Sequence, residues 1–270
     1  MTSTSESTEP SPRVETAAVV THGRVDVARA VERVETVAKK AGVTLVDEPE
    51  DADMVIVLGG DGTMLRTLER LLGRNVPVIG VNYGRVGFLA SIRPEDLDRD
   101  LERVFAGGYA TVELPTLQVR LDGERHVAVN DVVVTSSVLG RMVELAWAIG
   151  GQDLGTVPCD GMICSTPSGS TAYNLSNGGP VLVRGLDAMA VTFIAPHSLH
   201  VRPFVVPRGA EVTVRNATAD VPVTLLVDGH RVAEAEPGEE VGIYLCEQRS
   251  LLATLPETTF FGRYRETFAS

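Results

Sequence analysis

The chain has 270 residues, of which 44% are hydrophobic and 22% charged, and carries a formal net charge of -12 at pH 7. That length supports two moderate domains or one large one with a full core, and the composition is that of an ordinary soluble globular protein. The acidic balance disfavours a general nucleic-acid role; with no run near the roughly 18 apolar residues of a membrane span and no signal-peptide pattern, a cytoplasmic location is expected.

Residues 1–12 are rich in Ser, Thr, Glu and Pro without an apolar period and predict a disordered tail. A short apolar strand is expected over 17–21, then a helix through Val27, Val31, Val34, Ala38 and Ala41 that Gly42 closes. Segments 43–46 and 54–58 predict strands, Met64, Leu65, Leu68, Leu71 and Leu72 a second helix stopped at Gly73, and 76–81 another buried strand. Strands and helices alternating at this length imply a parallel sheet with helices on its faces. Pro94 opens a helix carrying Leu97, Leu101, Val104 and Phe105, which ends at Gly107 and Gly108.

Beyond that point the helical period fades. Segments 112–121, 126–135, 142–149, 189–195, 211–215, 223–227 and 241–246 are short β-rich runs split by Gly, Pro and Asp. The expected organisation is an N-terminal α/β domain over 13–110 and a β-rich domain over 111–255. A terminal segment over 256–270 follows, whose Phe260, Phe261 and later aromatic and basic residues pack back on the body. Cys159, Cys164 and Cys246 have no CxxC or Cys/His spacing. They support neither a zinc site nor a disulfide framework, and read as buried small hydrophobes.

Two loops stand out chemically. Gly59, Gly60, Asp61, Gly62 and Thr63 follow a strand and precede a helix, at the carboxyl end of the expected parallel sheet where ligands bind. Glycines let the backbone approach a phosphate closely; without the lysine of a GxxxxGK[ST] loop, any ATP is held in another way. Asp61 reads either as a cap or turn residue or as a carboxylate that accepts a proton from an attacking hydroxyl. Beside a second polar loop the catalytic reading is favoured. That second loop, STPSGSTAYNLSNGGP over 165–180, follows Asp160 and Gly161. Pro167 and Gly169 fix a turn, and Ser170 and Thr171 sit where a helix would begin, with Ala172 and Tyr173 leading it in. Such a start aims N–H groups and hydroxyls at one point, which suits a phosphate or the polar edge of a base; a capped helix after a tight turn is the plainer reading. Tyr173 is placed either to flank an adenine or to fill the core.

Together these motifs resemble the NAD kinases nearly end to end. GGDGTMLR over 59–66 is similar to the family's GGDGT motif, NYGRVGFLA over 82–90 to its NxGxxGFL segment, Asn130 and Asp131 to its Asn-Glu pair, and DGMICSTPSGSTAY over 160–173 to its DGxxxSTPTGSTAY loop. Ser176, Asn177, Gly178, Gly179 and Pro180, then Arg202 and Pro203, then Asp228 and Gly229 also fall in family order. The resemblance implies an α/β plus all-β architecture: an N-terminal α/β domain, a β-sandwich-like C-terminal domain and the active site between them, in a homodimer or homotetramer. It implies transfer of the γ-phosphoryl group of ATP, or of inorganic polyphosphate, to the 2'-hydroxyl of the adenosine ribose of NAD, making NADP.

By the same resemblance Asp61 matches the proton acceptor, Asn130 and Asp131 the pair that holds the dinucleotide, and Asp160 the carboxylate before the loop. Thr171, Ala172, Tyr173, Asn174, Leu175 and Ser176 match the adenine-side contact. Gly59, Gly60, Gly62, Thr63, Ser168 and Ser170 belong to the two loops; Arg66 and Arg141 either supply positive charge or are solvated surface residues. His230, just after Asp228 and Gly229, is a ligand contact or a turn histidine. Mg²⁺ is expected to arrive with ATP, and such ions keep several waters and few protein ligands, so no metal residues are assigned. The chain departs from the family pattern at Asp131, where Glu is usual, at Ser168 for Thr, at Asn177 for Ala, and at Pro158 and Cys159, where polar or basic residues are common. Two other functions are consistent with parts of the pattern: a lipid kinase of the diacylglycerol or sphingosine type, which shares the GGDGT loop but needs an apolar membrane-facing surface, and a non-catalytic NAD(P) sensor, which would not need Asp61.

Overall fold

A computed structural model describes residues 11–21, 27–84 and 87–268. The tail expected over 1–12 lies, up to residue 10, outside them. The chain divides into two compact units, residues 1–114 with 249–270 and residues 115–248. Strand β5 (Ala110–Leu121) leads out of the first and β16 (Glu240–Thr254) leads back into it.

The first unit is built on strands β1 (Thr16–Thr21), β2 (Thr44–Leu45), β3 (Met54–Gly59) and β4 (Val78–Asn82), all parallel in the order β2-β1-β3-β4. The end of β16 joins in parallel at Leu252 beside Val78. Every residue of β3 is buried, as a strand covered on both faces requires. Helices α1 (Val27–Ala41) and α3 (Leu97–Phe105) cover one face, where Val34, Ala38, Leu101 and Phe105 meet Met54, Ile56 and Ile79. On the other face, helix α2 (Asp61–Arg70) lies over β3 and β4 and buries Met64 and Leu68. The C-terminal segment forms α5 (Phe260–Phe268) and packs back on this unit, its Phe260 and Phe268 rings against Phe88.

The second unit is an antiparallel sandwich. One sheet runs β16-β13-β8-β9, with β8 (Val143–Ile149), β9 (Gln152–Cys159) and β13 (Val212–Asn216), while β5 hairpins with β6 (Glu124–Ala128). The other sheet runs β12-β11-β10-β7-β14-β15. Its strands are β7 (Asp131–Ser136), β10 (Gly161–Ser165), β11 (Ala188–Ile194), β12 (Phe204–Pro207), β14 (Val223–Val227) and β15 (His230–Ala235). Leu145, Trp147, Val214 and Ile243 of the first sheet share a core with Val132, Val134, Met162, Cys164, Val191 and Leu225 of the second. Alternation along the second sheet then sends Asp131, Val133, Ile163, Ser165 and Thr192, cross-strand neighbours by register, to its other face.

Several elements differ from the sequence reading. The run expected over 126–135 is two strands that break between Ala128 and Asp131, at Val129 and Asn130, where the backbone N–H groups turn to a side chain instead of a ladder. Strands β9, β10, β12 and β15 were hidden in segments rich in Gly, Pro or charge. The helix expected to begin at Ser170 and Thr171 is a single 3-10 turn over Gly169–Thr171 followed by one helical turn, α4 (Tyr173–Ser176). All three cysteines are free and buried, and burial pushes the Cys159 and Cys164 thiols up to about 12, which makes them inert fillers. Among the described residues, no helix is long and apolar enough to cross a membrane.

Candidate functional site

In the first unit, Gly59 closes β3, Gly60 is the extended N-cap of α2, and Asp61 is the first residue of the helix. An acidic residue here complements the positive end of the helix dipole. Its carboxylate does not cap its own helix. It accepts the N–H of Phe88 at 2.9 Å on Oδ2 and the N–H of Leu89 at 3.3 Å on Oδ1. The segment after β4 reaches it because residue 87 is glycine: a Cβ at Gly87 would run into the Asp61 carboxyl group. Each oxygen receives one backbone donor and keeps further acceptor capacity, so the carboxylate is oriented without being saturated. Thr63 is buried, with its side chain over Gly59, while Gly62 and Arg66 are exposed.

In the second unit the organising side chain is Asp228. It sits with Gly229 in the two-residue turn of the β14–β15 hairpin, at φ 47° and 81°, the geometry of a type I′ turn. Its carboxylate accepts three consecutive backbone N–H groups, from Val129 (2.8 Å), Asn130 (2.7 Å) and Asp131 (3.0 Å), and its own N–H donates to the Asp131 carbonyl. The polar loop is tied to the same segment: Thr166 donates from N to the Asn130 carbonyl and from Oγ1 to the Val129 carbonyl, at 2.8 and 2.7 Å. Gly169 lies against the Asn130 carbonyl so closely that a Cβ would overlap it. Asp131 and Ser165 are register partners of β7 and β10. Asn130, Asp131, Asp228 and the 165–170 turn therefore form one cluster.

Within that cluster two polar groups point to a ligand. Asn130 Oδ1 is buried and has no partner, a state that costs free energy unless a donor is supplied. Burial, with the neighbouring Asp228 carboxylate, pushes the Asp131 carboxyl up to about 7. Burial also raises the Asp228 carboxyl, against the three N–H groups that lower it.

The hydroxyls of the loop behave otherwise than the sequence predicts. Ser170 is fully buried; its Oγ donates to the Pro167 carbonyl at 2.7 Å and accepts the Leu182 N–H at 2.9 Å. Thr171 Oγ1 donates to the Ser168 carbonyl at 3.2 Å. Asn174 is buried too, giving its amide to the Ser170 and Pro180 carbonyls and accepting from Thr192 Oγ1, which fixes α4 on the outer face of the sheet. These groups build the turn instead of presenting donors from a helix start. Tyr173 is 45% exposed, which removes the core reading of its ring.

The remaining candidates lie apart. Asp160 is exposed ahead of Gly161, at the opposite end of β10 from Ser165, across roughly 13 Å of strand at ~3.3 Å per residue. Arg141 pairs with Asp220 at 3.0 Å, both exposed. His230 is exposed, with Nδ1 3.1 Å from the Asp228 carbonyl oxygen. Among the described residues, no group of three or more His, Cys, Asp or Glu is placed to hold a metal ion. Asp228 as organiser went unread in the sequence, although an Asp-Gly pair between two apolar runs is a hairpin signal.

Comparison with known proteins agrees across both units. Family models for the ATP-NAD kinase N-terminal domain and the ATP-NAD kinase C-terminal domain match residues 9–109 and 129–255. A NAD kinase of Heliobacterium modesticaldum is 39% identical over 227 residues, which cover 82% of this chain and 80% of that one. The crystal structure of a NAD kinase from Archaeoglobus fulgidus in complex with ATP is similar at a TM-score of 0.78 and 27% identity, over 94% of this chain and 97% of that one. Yeast NADH kinase complexed with NADH shares the fold at a TM-score of 0.84, with 20% identity, over 96% and 88% of the two chains.

The Asp131 carboxyl makes stability depend on pH. Its pKa is near 3.9 in an unfolded chain and about 7 in the folded one, so between those values the folded state holds a proton that the unfolded state has lost. Its contribution to stability therefore falls as pH rises through that window and levels off above it. Asp131→Asn should remove that decline and be more stable than the parent at pH 8. Urea midpoints for both proteins between pH 5 and 8 check this; parallel curves would mean that Asp131 does not titrate in that range.

Proposed function

Because the chain belongs to the NAD kinase family, phosphotransferases with an alcohol group as acceptor, we propose that it transfers the γ-phosphoryl group of MgATP to the 2'-hydroxyl of the adenosine ribose of NAD. A bond forms between the ribose oxygen and the γ-phosphorus, the bond from that phosphorus to ADP breaks, and the hydroxyl proton passes to Asp61. The observation that supports this most is the Asp61 carboxylate, held by two backbone N–H groups and still able to accept. In a loose phosphoryl-transfer transition state the protein contributes mainly alignment and charge compensation, and an oriented carboxylate between glycines suits that task. The relatives' names speak for neither a lipid kinase nor a silent sensor.

On this reading Asn130 and Asp131 hold the dinucleotide. The unpartnered Asn130 Oδ1 would take a ligand N–H or O–H. A carboxyl with a pKa of about 7 is partly neutral at working pH and can donate to, as well as accept from, a ribose hydroxyl. The exposed Tyr173 ring offers a face to the adenine, flanked by Thr171, Ala172, Leu175 and Ser176. The Gly59–Gly60 backbone with Gly62 and Arg66 serves the donor phosphates, and Asp160, Arg141, Ser168 and His230 are outer contacts. Mg²⁺ enters as part of MgATP; polyphosphate is a second candidate donor. The enzyme works in the cytoplasm as a homo-oligomer, for which the exposed Phe204 and Val205 on edge strand β12 offer an apolar surface.

One assay tests the whole reading: purified protein with NAD, ATP and Mg²⁺, scored for NADP with a dehydrogenase specific for it, then repeated with polyphosphate. Asp61→Asn should lose about 10² to 10⁴ in turnover, the usual loss for a positioned base, and keep NAD affinity within a few-fold. Equal losses of rate and of NAD affinity would make Asp61 a turn residue.

Tyr173→Ala should raise the KM for NAD roughly 5- to 150-fold, since stacking on a base is worth about 1 to 3 kcal/mol. Tyr173→Phe should change little because it keeps the π face. A KM unaltered in Tyr173→Ala would place the adenine elsewhere.

A further inference from the structure

Three consecutive residues, 88–90, link the C-terminal helix to Asp61. Phe88 and Leu89 give their N–H groups to the Asp61 carboxylate. The Phe88 ring is stacked on Phe268, with centroids 5.6 Å apart and planes at 27°, and lies 6.2 Å from Phe260. The carbonyl of the next residue, Ala90, accepts from the guanidinium of Arg263. Arg263 is itself held in a partly buried setting. Burial lowers its pKa, while the carboxylates of Glu266 on α5 and Asp61 on α2 raise it and Arg93, ahead of α3, lowers it further.

We propose that α5, acting through Arg263, is a positioning device for Asp61: it fixes the 88–90 backbone so that both N–H groups stay on the carboxylate. Arg263 is thus a positioning residue for the phosphoryl-transfer step, and the proposal rests on the reading of Asp61 as proton acceptor. The clamp removes rotational freedom that the side chain would otherwise have to lose during each turnover. A helix that merely finished the fold of its unit would give stability without that effect.

The experiment compares kcat and both KM values in the parent, Arg263→Met, Arg263→Lys, Asp61→Asn and the Asp61→Asn/Arg263→Met double variant. Arg263→Met should lower kcat about 10- to 100-fold, the scale of an ångström-level misplacement, and leave both KM values within about two-fold, the pattern of an interaction needed only at the transition state. Arg263→Lys should restore most of kcat. In the Asp61→Asn background, Arg263→Met should have almost no further effect on kcat.

A lower melting temperature with unchanged kcat in Arg263→Met would overturn the proposal and leave α5 as a structural helix. Asp61→Asn with parental kcat would instead overturn the reading of Asp61 as the base, and the role of Arg263 with it. If Arg263→Met does not fold, Phe268→Ala, which removes a partly exposed ring from the Phe88 stack, replaces it. A fall in kcat at constant KM supports the proposal in that variant, and an unchanged kcat sinks it.

Discussion

A carboxylate drawn away from water must be given donors, and in both units of this chain the donors are consecutive backbone N–H groups. In the first unit two of them, from Phe88 and Leu89, hold Asp61; in the second, three of them, from Val129, Asn130 and Asp131, hold Asp228. Hydrogen bonds to an ionised acceptor are the strong ones, and they carry geometric information because successive N–H groups can converge on one point only in a bent backbone. Each carboxylate therefore shapes a loop that no ladder bond would have shaped. Such close approach explains glycine at 87.

The two acids in the second unit show how neighbouring carboxylates take different states. Asp228 collects the N–H groups, and these oppose the effect of burial on its pKa. Asp131 is equally enclosed and faces the charge of Asp228, so the proton settles there preferentially. The pair thus combines an anion that orders the backbone with a carboxyl that is part acid, part carboxylate near neutral pH.

Much of this was legible in the sequence because it was periodic or punctuated. The buried parallel strands and the apolar stripes of α1 and α3 follow from spacing alone, and the glycine loop at the end of β3 sits where strand and helix signals meet. What escaped was of two kinds. Strand β9 is mostly exposed and β15 half exposed, so their side chains show little apolar alternation, and only cross-strand pairing makes them strands. The hydroxyls at Ser170 and Thr171 escaped for the opposite reason: Ser and Thr before a helix-like run signal a cap, but here tertiary partners at Pro167, Ser168 and Leu182 claim them. A local signal says which bonds a side chain can make, and the distant chain decides which it does make.

That dependence on distant chain is strongest in the first unit. Its sheet is extended by Leu252, its helix α3 is tied to Glu257 by Arg103, and the segment that clamps Asp61 is gripped by Arg263, 173 residues after Ala90. Closing loops of this length costs conformational entropy before any contact is gained, although the cost grows only slowly with length. Folding of the intervening sandwich shortens the effective loop, since it brings β5 and β16, the two strands that leave and re-enter the first unit, into one compact body. The first unit's sheet can start to form from its own N-terminal residues, yet the segment on Asp61 gains its Arg263 contact only once residue 263 is in place.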